Sequence, residues 1–109
     1  MSRWSVFYSD AARQDLKNIY EYIAFQLLEK QTAERQVNRI MDVIESLDEM
    51  PTRFSLYDEE PWHSRGLRKI PVDQFLVFYT VHVKTNTVYI VRIMYGGRDI
   101  SRHLNETKS

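Results

Sequence analysis

The apolar positions change period once along the chain. Trp4 to Tyr8 is short, aromatic and β-branched, which predicts a strand. Ser9 is placed as a helix N-cap, with Asp10 in the first turn where the helix dipole favours an acid. Ala12, Leu16, Ile19, Tyr20, Ile23 and Leu27 then recur at intervals of three and four, one face of an amphipathic helix. The pattern resets at Glu29 to Thr32. Ala33, Val37, Ile40, Met41, Ile44 and Leu47 form a second stripe that Pro51 ends. A connection this short predicts an antiparallel helical hairpin. Residues 51–64, with Pro51, Pro61 and the run Asp58-Glu59-Glu60, read as a loop.

From Gly66 the period is that of strands. Gly66 to Val72 is one strand, pushed toward a sheet edge by Pro71. Gln74 to Val83 is a second, apolar on both faces and therefore central. Lys84 to Thr87 is a turn, Val88 to Tyr95 a third strand, and Gly96-Gly97 breaks it before a short helical end over Asp99 to Asn105. The order β-α-α-β-β-β predicts an α+β fold, an antiparallel sheet with the N-terminal helical hairpin packed on one face and the other face left for binding. The first strand joins the sheet beside a C-terminal one. Tyr20, Phe75, Phe78, Tyr79 and Tyr89 read as packing residues; Trp62 reads as a cap on the sheet edge or an anchor for a partner.

Length and composition narrow the class. At 109 residues the chain reads as one domain over 1–109, and 43% hydrophobic with 28% charged residues excludes a disordered or collagen-like chain. No cysteine is present, which excludes a disulfide scaffold, a thiol nucleophile and a thiolate metal site, and fits the cytoplasm. Neither a membrane helix nor an apolar signal region is expected, so no membrane association is. The zero net charge conceals a dipole. Residues 1–60 carry seven basic against twelve acidic side chains, a net of −5; residues 61–109 carry eight against three, +5. The C-terminal half thus suits an anionic partner, or simply segregates solvated charges.

The candidate chemistry is sparse. His63, His82 and His103 have no helix-face spacing to one another, so no metal site and no cofactor are expected. His82 reads as a partly buried, hydrogen-bonded strand residue. Gly96-Gly97 lacks a phosphate-loop fingerprint, and no serine has a triad signature. A basic cluster remains. Arg68 and Lys69 fall on opposite faces of one strand, Arg92 lies inside the last, and Arg98, Arg102 and His103 follow. Such groups could hold a phosphodiester and stabilise a pentavalent phosphate while His or Tyr moves protons. The alternative is structural ion pairing, strongest for Arg92.

Four segments together resemble one family. The first helix reads Asp15-Leu16 with Ile19 and Tyr22. The second runs from Ala33 through Leu47 to Met50-Pro51. The middle reads Gly66-Leu67-Arg68-Lys69-Ile70, then Phe78-Tyr79-Thr80-Val81. The end reads Ile90-Val91-Arg92-Ile93-Met94-Tyr95-Gly96-Gly97-Arg98-Asp99, then Leu104. In this order they resemble the RelE/ParE superfamily of bacterial toxin–antitoxin toxins, or plasmid stabilisation proteins, from Trp4 to about Leu104. The resemblance implies a cytoplasmic toxin neutralised by a cognate antitoxin, as a toxin–antitoxin hetero-oligomer or with a homodimer, the antitoxin placing an amphipathic helix in an apolar groove between hairpin and sheet.

It also implies one of two targets. ParE-like members poison DNA gyrase and are not nucleases; RelE-like members cut mRNA on the ribosome. The RelE-type arginine at the start of the central strand falls here on Leu76, a second on Arg98, and the C-terminal tyrosine near His103 or Leu104. A neutral Leu76 cannot hold a scissile phosphate, which favours the ParE-like side, although Tyr95 replaces that family's histidine. The resemblance therefore implies a target-binding set of Arg68, Tyr95, Arg98, Arg102 and Leu104. The RelE-like alternative is a metal-independent endoribonuclease acting with the ribosome and mRNA through Arg68, Lys69, Arg98 and His103. A third reading is an inactive member that only binds its antitoxin.

Overall fold

The structure, a computed structural model, describes residues 3–97 and 100–106. Strand β1 (Ser5–Tyr8) leads into helix α1 (Asp10–Glu21), which loosens into one π-helical turn, Tyr22–Gln26. Helix α2 (Lys30–Glu45) returns, and two 3₁₀ turns, Ser46–Asp48 and Pro51–Arg53, open the long segment that precedes β2 (Arg68–Val72), β3 (Phe75–His82), β4 (Thr87–Tyr95) and the short helix α3 (Ile100–Asn105). Ser9 is the expected N-cap: its hydroxyl accepts the Ala12 N–H at 2.9 Å and donates to the Val91 carbonyl at 2.8 Å, tying the start of α1 to β4. Leu28 turns the hairpin in the left-handed region, φ 57°.

The sheet order is β1-β4-β3-β2. β2, β3 and β4 form the expected antiparallel meander, but β1 joins β4 in parallel, so the sheet is mixed rather than wholly antiparallel. The cause lies in the hairpin. α1 continues past the end of β1, far enough for Asp15 to accept the Ile93 N–H, and α2 carries the chain back until the Asp48 carbonyl accepts the Trp4 N–H. The chain is then again at the starting end, and β2 runs in the direction of β1. One β-bulge interrupts the meander. Phe78 pairs with Arg92 and Tyr79 with Ile90, which leaves Val91 as the extra residue, its carbonyl taken by Ser9.

Each face of the sheet carries a separate core. Under the hairpin, Ile40, Ile44 and Leu47 meet Val77, Tyr79 and Ile90, all buried. On the opposite face, Tyr57, Trp62 and Leu67 of the long segment and Leu104 of α3 close over Phe78 and Val91. The central strand β3 is therefore covered on both sides, as its composition predicts. The expected open face is only partly open: its β2 end is roofed, and what remains exposed is the β1 end, with Phe7, Tyr89 and His82. Trp62 is buried in that roof, donating its indole N–H to Asn105 at 3.1 Å. His82 is exposed rather than partly buried, and its ring nitrogen is 2.9 Å from the Thr80 hydroxyl.

Candidate functional site: a groove between the helical hairpin and the sheet

β1 pairs with β4 only as far as Ile90, which leaves the edge of β4 beyond that point without a strand. Asp15 of α1 takes its place. One carboxylate oxygen accepts the Ile93 N–H at 2.9 Å and Arg92 Nε–H at 2.8 Å, and the other accepts Arg92 Nη2–H at 2.9 Å. The two-pronged contact matches a planar guanidinium to a planar carboxylate. It is largely buried, with side-chain exposures of 21% for Arg92 and 11% for Asp15. The Asp15 hydrogen bond holds the Arg92 pKa above its ordinary value against the opposing effect of burial.

This pair forms one wall of a groove of about 990 Å³ between the hairpin and the end of the sheet. Tyr22, Ile23 and Leu27 line it from the hairpin, Phe75, Met94 and Tyr95 from the sheet, and His103 from α3. At the far rim Arg39 grips Asp73, which sits at φ 55° in the β2–β3 turn, with bonds of 2.8 and 2.9 Å; Gln36 adds a third at 3.0 Å. These bonds lower the Asp73 pKa and raise that of Arg39. Apolar surface continues out of the groove over the hairpin tip, where Tyr22, Phe25, Leu27 and Leu28 are all more than half exposed. The groove therefore has the make-up of a protein-docking surface: an apolar floor, fixed charges at the rim and an adjoining apolar tip.

The basic residues singled out in the sequence are spread over the molecule. Arg68 lies on the hairpin face of β2 and donates to the carbonyls of Thr52 (3.2 Å) and Phe54, clamping the turn after Pro51. Lys69 points to the opposite face, its ammonium 5.8 Å from the centroid of Tyr57. His103 lines the groove, 3.9 Å from Glu106, which also pairs with Arg102 at 3.5 Å. Leu104 is fully buried in the second core. Tyr95 is half exposed and stands edge-on to Phe75, centroids 6.0 Å apart. Leu76 packs against the second core. Arg98 lies outside the described residues. Among the described residues no group of three or more His, Asp or Glu side chains could hold a metal ion.

In the sequence Asp15 stands out only as part of the first-helix motif. Its signal was available: it lies beside the apolar stripe of α1, one position before Leu16. Phe25 and Leu28, which fall off that stripe, are the corresponding signal for the exposed tip.

The family model described as the ParE toxin of the type II toxin–antitoxin system parDE matches residues 6–100. The chain belongs to the ParE toxin family. It is thus the toxin of a type II toxin–antitoxin system, and the groove and roofed sheet are features of a ParE-family toxin. The fold is shared with solved structures. The chromosomal ParDE system of P. aeruginosa superposes with TM-score 0.71 at 20% identity, covering 87% of this chain and 98% of that one. The RelBE2 toxin–antitoxin complex of Mycobacterium tuberculosis gives 0.62 at 17%, covering 87% and 93%. The archaeal RelE–RelB complex of Pyrococcus horikoshii OT3 gives 0.60 at 15%, covering 90% and 99%. No curated protein matches in sequence. Among the described residues no helix is long and apolar enough to cross a membrane.

Proposed function

We propose that this ParE-family toxin inhibits growth by binding DNA gyrase and does not cleave RNA. The dispersal of the basic groups carries the reading. Metal-independent phosphodiester cleavage needs cations and a proton carrier converging on one phosphate. Here Arg68 is spent on main-chain carbonyls of one face, Lys69 lies over Tyr57 on the other, and His103 faces the groove. Leu76 adds an apolar side chain where the nuclease reading asks for a charge. The target contact on this reading lies on the C-terminal side, through the exposed Tyr95 and Arg102 together with Arg98.

The groove is the antitoxin site on the same reading. An amphipathic helix would lay its apolar face on Tyr22, Ile23, Leu27 and Phe75 between the charged rims. The deciding experiment uses two assays on one preparation. Gyrase supercoiling should fall as toxin is added, and primer extension on mRNA in a translating extract should show intact message. Ribosome-dependent cuts within codons, with gyrase unaffected, would replace the proposal with the nuclease reading; silence in both assays would leave an antitoxin-binding protein.

A further inference from the structure

The two edges of the sheet differ in how they are protected. Exposed edges invite pairing with another strand, and proteins commonly blunt them with charge, proline or a covering segment. The β2 edge has all three: Arg68, Lys69, an exposed Pro71 without an N–H, and main-chain bonds from Lys69 N–H to Ser55 (3.1 Å) and Tyr57 N–H to Leu67 (2.7 Å). β1, Ser-Val-Phe-Tyr, has no charge, no proline and no bulge. Ser5 and Ser9 donate toward β4, at 3.0 and 2.9 Å. The main-chain groups of Val6 and Tyr8 therefore point away from it, and among the described residues no hydrogen bond is made to them. Trp4 also faces outward, but its N–H is already taken by Asp48.

We propose that β1 pairs antiparallel with β1 of a second copy, across a two-fold axis at Phe7, to join the two sheets into one of eight strands. The geometry selects this occupant. With Phe7 opposite Phe7, Val6 of each chain faces Tyr8 of the other, and all four outward N–H and C=O pairs are exchanged. The closure is isologous, so it ends at the dimer. Charge selects the direction. Arg3, which also pairs at 3.6 Å with Asp48 of its own chain, precedes the strand and Asp10 follows it, so antiparallel pairing sets each cation near the other chain's acid, whereas parallel pairing sets like beside like. The outward side chains fit as well. Phe7 is 54% exposed and neighbours the exposed Tyr89 in register, so pairing gives a row of four rings, Tyr89–Phe7–Phe7–Tyr89, on the open end of the sheet face. The antitoxin groove opens on the same edge of β4, beyond Ile90 and past the end of β1, where Asp15 takes the strand's place.

The absence of cysteine makes the test direct. Facing residues of a non-hydrogen-bonded antiparallel pair have Cα atoms about 4.5 Å apart, within the range that a disulfide spans. Phe7→Cys treated with diamide, which takes up the two electrons and two protons, should become a disulfide dimer at least tenfold faster than His82→Cys, exposed on the same face but two strands inward. Sedimentation of the unmodified chain should give a mass of two chains at 100 μM, and Phe7→Lys, with an unchanged circular dichroism spectrum, a mass of one. A single-chain mass for the unmodified protein, a dimer indifferent to Phe7→Lys, or equal cross-linking of the two cysteine variants would each overturn the proposal.

Discussion

Two arginine–aspartate pairs flank the groove with nearly the same geometry and different surroundings. Asp15–Arg92 and Asp73–Arg39 both make two-pronged contacts of 2.8 and 2.9 Å. The side chains of the first are 21% and 11% exposed, those of the second 66% and 33%. Asp15 also carries the Ile93 N–H of an otherwise open strand edge, whereas Asp73 adds only the amide of Gln36. Distances alone rank the two equally. What separates them is what each leaves behind when broken: a largely buried guanidinium without its carboxylate and a backbone donor without its acceptor in one case, two groups that water solvates in the other.

The strongest way to break the comparison is Asp15→Ala. It removes the two-pronged contact of Arg92 and the acceptor of the Ile93 N–H together, and should cost about 3 kcal/mol of unfolding free energy in urea denaturation. Asp15→Asn keeps an acceptor for the N–H and should cost clearly less; equal losses would mean the edge hydrogen bond contributes nothing.

A pair of tyrosines sharpens the same contrast between satisfied and unsatisfied burial. Tyr79 is fully buried and donates to the Pro51 carbonyl at 2.7 Å. Tyr79→Phe orphans that carbonyl and should cost about 1–2 kcal/mol. Burial pushes the Tyr79 pKa to about 12. A folded-state value above the unfolded one means that the neutral phenol's contribution is complete below pH 10 and is lost as pH rises toward 12. The Tyr79→Phe variant should therefore lose less stability over that interval. The Tyr8 hydroxyl, by contrast, is buried with no hydrogen-bond partner among the described residues, and burial with the nearby Glu45 raises its pKa. Tyr8→Phe removes an unmet desolvation cost and should leave the protein as stable or up to about 1 kcal/mol more so.

The smallest effect belongs to the exposed pair. Arg39→Ala should move the melting temperature by no more than a degree or two, less in high salt. Because the Asp73 pKa is lowered by Arg39 and Gln36, the pair's contribution is present above the ordinary aspartate range and fades as pH falls through the lowered value. Arg39→Ala and wild type should thus converge in acid; a difference that grew in acid would contradict the assignment.

The sequence by itself determined the elements, their order and the amphipathic stripes, because period, caps and proline act within a few residues. Ser9 was legible as a cap from its place before the Ala12–Leu27 stripe, and β3 as a central strand from its doubly apolar run. The family was legible from four motifs in order. The direction of β1 was not, since it depends on how far α1 overshoots the strand before α2 returns. Nor was the roof over half of the open face: Trp62 and Leu104, separated along the chain, meet there only after the sheet exists. The same holds for the basic residues. Alternation told that Arg68 and Lys69 part company across β2, but only packing decided that one is tied to the carbonyls of Thr52 and Phe54 and the other to the ring of Tyr57. A side chain's reach is local; which groups remain within that reach is fixed by long-range closure, and that belongs to the tertiary structure.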